Sequence, residues 1–218
     1  LDALLAQKTF NEEALISENQ GANFLHHLAV NKRYLYDLLL QSLTHFGQKT
    51  LEDKVLDKVS AAKVLIEKGL FQAARSELKK GSKIAVNFEF YELQIITCGI
   101  DKKILSLLQF NTPNKNAVNE LFELEANCLA QLKNTNEYWY LSQQIAQFQL
   151  RFQKIQTEEQ AAYIQNLVES PLFQDISLAT NFKSKLFFYQ ANSIHQFMLG
   201  DVKSAYETNQ KILDLLEE

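Results

Sequence analysis

Residues 185–216, KLFFYQANSIHQFMLGDVKSAYETNQKILDLL, decide the fold. Leu186, Phe187, Phe188, Tyr189, Ile194, Phe197, Met198 and Leu199 precede a break at Gly200 and Asp201, and Ala205, Tyr206, Ile212, Leu213 and Leu216 follow it. Apolar residues return at helical spacing on both sides of the glycine, so each arm carries an apolar face. Each face is buried most simply on the other arm, which makes the stretch a helical hairpin.

The same reading extends outward. Two Pro and six Gly in 218 residues supply too few tight turns for an all-β sandwich or barrel, whereas long helices need few breakers. Residues 22–46 carry Leu25, Leu28, Leu35, Leu39 and Phe46 near one line, widened by Tyr36, Leu38 and Leu43, with Gly47 expected to end the helix in the left-handed conformation. Such a wide stripe requires neighbours on more than one side.

Before it, Thr9 to Glu12 fits a capping box, predicting a short helix from about Phe10 that ends at Asn19, Gln20 and Gly21. Thr50 caps the next helix, on which Leu51, Val55, Val59, Ala62 and Ile66 recur. Gly69 closes it, and Phe71, Ala74, Leu78 and Ala85 form the return face, so residues 51–86 are a second hairpin. Within 87–109, Phe88, Phe90, Tyr91, Leu93, Ile95 and Ile96 alternate in part like a strand. A buried helix broken at Gly99 and restarted by Asp101 suits the surrounding pattern better.

Asn111, Thr112, Pro113 and Asn114 form a loop, since the residue before proline is driven from helical geometry, and a sub-domain boundary is expected at 110–116. A helix over 117–132 is expected to turn at Lys133, Asn134, Thr135 and Asn136. The next helix carries Tyr138, Leu141, Ile145, Phe148, Phe152 and Ile155. Thr157 with Gln160 is a further capping box, and Ser170 with Pro171 opens another helix.

Parts of this pattern resemble the tetratricopeptide repeat. In the last hairpin Tyr189 lies eleven residues before Gly200, Ser193 seven before it, and Ala205 five after it; around Gly69, Ala62 and Ala74 take the last two places, while Lys58 replaces the aromatic. The resemblance implies an all-α, right-handed α-α superhelix, a degenerate tetratricopeptide-like solenoid of stacked hairpins, with a partner-binding groove lined by the first helix of each pair. On this chain that groove shows Phe187, Gln190, Ile194, Phe197 and Met198, and lacks the basic set that would clamp a carboxylate. An open groove suits an apolar or amphipathic helix; a neighbouring helix of the same chain could equally cover these side chains.

The adjacent aromatics Tyr138, Trp139 and Tyr140 cannot share one helix side. At least one reaches a second interface or the surface, either as partner anchor or as filler between hairpins.

Little in the chain points to chemistry. His26 and His27 diverge by about 100° on a helix, and His45 and His195 stand alone, so no metal is expected. Cys98 and Cys128 lack a nearby His or Cys partner, and there is no glycine-rich phosphate loop, so neither catalysis nor a cofactor is expected. The paired acids Glu12 and Glu13, Glu158 and Glu159, Glu217 and Glu218 suit helix starts or solvated ends.

A formal net charge of −4 and scattered basic pairs argue against nucleic acid. No stretch approaches a membrane span, and two thiols in apolar helical patterns suit a reducing, cytoplasmic setting. The expectation is therefore one helical-repeat domain over 1–218, a non-catalytic scaffold binding a protein or peptide. The alternatives are a small-molecule regulatory domain with an inter-helix pocket, or a self-associating module that forms a homodimer. The apolar ending at Leu213, Leu215 and Leu216, where a solenoid needs a polar cap, points to a longer chain.

Overall fold

A computed structural model describes residues 11–47, 49–109, 115–153 and 155–217, without the side chains of residues 45 and 46. The described residues are helices and their connections, with no strand among them. Contacts divide the chain into two compact units, Leu1–Lys49 and Thr50–Glu218; the loop expected as a boundary, residues 110–114, lies outside the described residues.

In the first unit, helix α1 (Glu12–Glu18) is capped by Asn11, whose Oδ1 accepts from the Ala14 N–H at 3.1 Å. Thr9 and Phe10 of the expected capping box lie outside the described residues. The helix expected from Ala22 is a 3-10 turn over Asn23–His27 before α2 (Leu28–Phe46) begins. An ion pair between Lys32 and Glu12, 2.7 Å, ties α2 to α1. Gly47 ends α2 at φ −61°, ψ 149°, an extended rather than left-handed conformation, so the reason anticipated for that glycine does not apply. Val30, Tyr34, Tyr36, Leu39 and Leu43 are exposed on more than one side of α2.

The second unit begins with α3 (Leu51–Glu67) and α4 (Phe71–Asn87). Thr50 and Asp53 form a reciprocal capping box that satisfies two backbone donors left open by the first turn of α3. Between the helices Gly69 sits at φ +72°, where a side chain would be strained, and the chain reverses in three residues. Ala62 and Ala74, both fully buried, let the two rods approach closely; Gly81 lies against Lys58, and a Cβ there would come within 3.1 Å of the lysine's own. Val59, Leu78 and Ile104 complete this core, each contributing about 1.5–3 kcal/mol by leaving water.

Helix α5 (Tyr91–Leu107) runs unbroken through Gly99. The break expected there does not occur, because one interior glycine costs only about 1 kcal/mol and the flanking Cys98, Ile104 and Leu105 are buried. Asp101 does not cap a new helix; its two oxygens grip Arg75 of α4 at 2.6 and 3.1 Å.

Helix α6 (Ala117–Phe152) is likewise one element of 36 residues, about 54 Å long, and the turn expected at Lys133 to Asn136 is absent. Those residues look like a turn because their side chains are polar, yet the polar groups serve a distant loop. The Asn134 Nδ2 donates to the Leu178 carbonyl at 2.8 Å, and its Oδ1 accepts from the Thr180 N–H at 3.0 Å. The Thr135 hydroxyl donates to the Gln131 carbonyl and to the Asn181 Oδ1.

Helices α7 (Glu158–Val168) and α8 (Pro171–Gln174) lead to α9 (Phe182–Met198) and α10 (Val202–Glu217). Thr157 caps α7 by accepting from the Gln160 N–H at 3.2 Å, but Gln160 reaches back to the Gln156 N–H instead of completing the box. Pro171 opens α8 as expected, while the Ser170 side chain makes no cap hydrogen bond. Successive helices α3 to α6 pack on their neighbours, α9 packs on α6, and α10 folds back on α9 across Gly200 at φ +80°. A second core, Leu141, Ile145, Phe148, Ile164, Phe173, Ala191 and Met198, fills the space between α6 and α9.

Candidate functional site

Asn181 fixes the start of α9. Its Oδ1 accepts from the Ser184 N–H at 2.9 Å, and its Nδ2 donates to the Gln131 carbonyl on α6. Seven residues on, the buried Phe188 meets the buried Tyr138 ring edge-on at 6.3 Å between centroids. The offset of about 50 between partners is constant, so α6 and α9 run in the same direction. Phe197 is therefore level with residue 147, about 12 Å along the axis from Trp139.

This register separates the residues expected to form one surface. Met198 is buried in the α6–α9 core, Ile194 packs against that core, and Phe187 packs against the Tyr138 cluster. Gln190 is half-buried. Among the five expected groove residues, Phe197 is the exposed one, at 58%. Tyr138 is core, its hydroxyl donating to the Asp175 carbonyl at 3.4 Å, whereas Trp139 and Tyr140 are exposed. Burial, with the neighbouring acids Asp175 and Glu137, pushes the Tyr138 phenol up to about 12, so it stays protonated.

An apolar surface that the residue pattern alone did not isolate lies on α10. Ala205, Thr208 and Leu215 are buried, while Val202, Tyr206, Leu213 and Leu216 are exposed and recur at steps of four, seven and three. The helix thus carries two adjacent stripes, and one of them has no cover among the described residues. Phe197 and Leu199, where α9 ends, are also exposed, five and three positions before Val202 in the chain. The spacing was present in the sequence; which stripe α9 would cover was not.

The reactive residue types are dispersed. His195 is half-buried with its ring edge-on to Phe173 at 5.4 Å, and that burial lowers its pKa. His26 and His27 are exposed on the 3-10 turn. The side chain of His45 lies outside the described residues. Cys98 and Cys128 are buried free thiols; burial pushes Cys98 up and Cys128 to about 11, which keeps both protonated and weakly nucleophilic. Among the described residues no group of three or more His, Cys, Asp or Glu could hold a metal ion, and no helix is long and apolar enough to cross a membrane.

Comparison with protein-family models, with curated proteins and with solved structures gives no match to this chain.

Proposed function

We propose that the chain is a non-catalytic interaction module, a tetratricopeptide-like solenoid of helical hairpins, that binds an apolar or amphipathic helical segment of a partner protein. The observation that carries this reading is the uncovered α10 stripe of Val202, Tyr206, Leu213 and Leu216. A helix with a second apolar stripe gains by receiving another helix, whose own apolar positions at three- and four-residue spacing would fill it. Phe197 and Leu199 add exposed apolar side chains just before α10 in the chain. Lys203, Lys211, Glu207 and Asp214 lie on the same helix and supply the charged rim of a protein interface rather than a phosphate-binding face. Buried free thiols fit a reducing, cytoplasmic setting.

Selection of a displayed library of helical peptides on the full chain tests the reading. Enriched sequences should share an apolar heptad face, and the variant Tyr206→Glu/Leu213→Glu should lose them while keeping its circular dichroism. Peptide capture indifferent to that variant would overturn the proposed surface. Light scattering that shows wild-type dimers and variant monomers would assign the stripe to self-association instead.

A further inference from the structure

The apolar stripe on α10 has a polar residue at its centre. Asn209 stands between Tyr206 and Leu213, and with it the exposed positions Val202, Tyr206, Asn209, Leu213 and Leu216 step by four, three, four and three. That is the seam spacing of a helix that packs along another helix. The two flanks of the seam differ. Ala205, buried, and Ile212, half-buried, lie on one flank of a helix that packs on α9. Lys203, Gln210 and Glu217, each seven residues from the next, are exposed on the other.

The Asn209 side chain is engaged on one side only. Its Oδ1 accepts from the hydroxyl of the buried Ser193 on α9 at 2.8 Å, and its Nδ2 has no partner among the described residues. Asn209 is exposed in the free chain, so water serves that donor. A helix laid along the stripe would remove the water, and an amide donor enclosed between apolar layers without an acceptor is strongly disfavoured. A carboxamide on the incoming helix resolves this. Its carbonyl accepts from the Asn209 Nδ2, and its own N–H donates to the lone pair that Oδ1 keeps free. Leucine offers no acceptor, and a carboxylate would bring an unpaired charge into the seam. On the open flank Lys203 at one end and Glu217 at the other call for an acid and a base at opposite ends of the occupant.

We infer that the helical segment received by α10 carries Asn or Gln at its central seam position, between apolar layers, with opposite charges at the two ends of one flank. Asn209 thereby selects the partner and sets its register. The inference rests on the reading of α10 as an interaction surface and adds the side chains by which the partner is recognised.

Selection from a displayed library of helical peptides tests this, with apolar residues fixed at four seam positions and the central seam position and both flank ends randomised. The full chain should enrich Asn and Gln at the centre about tenfold over Leu, with an acid at one flank end and a base at the other. Asn209→Leu should turn the central preference to Leu, and Lys203→Glu should replace the selected acid by a base. Asn209→Ala, which adds no apolar bulk, should lose the amide preference and decides the matter should Asn209→Leu aggregate. Leu enriched at the centre by the wild type, or a central preference unchanged in both Asn209 variants, would overturn the inference while the α10 surface stands. Failure to enrich any helix whose capture Tyr206→Glu/Leu213→Glu abolishes would overturn the surface and the inference with it.

Discussion

The carboxylate of Glu89 accepts a hydrogen bond from the backbone N–H of Phe182 at 2.9 Å, joining positions 93 residues apart. Glu89 lies between α4 and α5 at φ +53°, a left-handed conformation that an L side chain adopts at a cost. It thereby satisfies one of the open donors in the first turn of α9 and places a negative charge at that helix's positive end. Glu89→Ala should lower stability by about 1–2 kcal/mol, and Glu89→Gly should recover about 1 kcal/mol of that by relieving the backbone. Urea unfolding of both variants measures the difference; equal stabilities would show the conformation to be unstrained.

Three of the four glycines of the second unit should separate into two classes. Gly69→Ala and Gly200→Ala, at φ +72° and +80°, should each destabilise by about 1 kcal/mol. Gly99→Ala, inside α5 with open space where its Cβ would stand, should stabilise by about 0.5–1 kcal/mol. Thermal melts of the three variants test this, and a loss of stability at Gly99→Ala would mean that α5 is bent or broken there after all.

Continuity of α6 makes a stronger demand. Asn134→Pro removes a helical hydrogen bond and clashes with the preceding turn, so it should cost about 3 kcal/mol or more, whereas a turn at Lys133 to Asn136 would absorb it. Asn181→Ala should cost about 1–3 kcal/mol by leaving the buried Ser184 N–H in the first turn of α9 without its cap. Circular dichroism with denaturant titration distinguishes these outcomes.

Glu77 links stability to acid. Hydrogen bonds from Lys58 on α3 and Lys80 on its own helix hold its carboxyl at about 2, well below the usual 4.5. A carboxyl depressed on folding stabilises the folded chain above its ordinary pKa, and the contribution fades as pH falls from about 4.5 to about 2. Glu77→Gln should therefore be less stable than the wild type at neutral pH and match it near pH 2. A gap that persists unchanged into acid would assign the effect to packing.

The helical class and both hairpins were legible because their signals are local: apolar residues at helical spacing, and glycines that take positive φ at 69 and 200. The same local signs misled at Gly99 and at Asn134. A glycine inside a well-buried helix looks like one at its end, and Asn134 and Thr135 reach Leu178, Thr180 and Asn181, more than forty positions away. The expected surface was harder still. Phe187, Ile194, Phe197 and Met198 are alike in type, and only the placement of α6 against α9 decides that Met198 is core and Phe197 is exposed.

One length of helix, α6, meets α5 near its start and α9 farther along. The second unit consequently has no seam at which it could be cut into two self-sufficient pieces. A gene split or protease nick in the middle of 117–152 would deprive each fragment of a wall, so complementation by the two halves, rather than independent folding of either, is the behaviour this architecture allows.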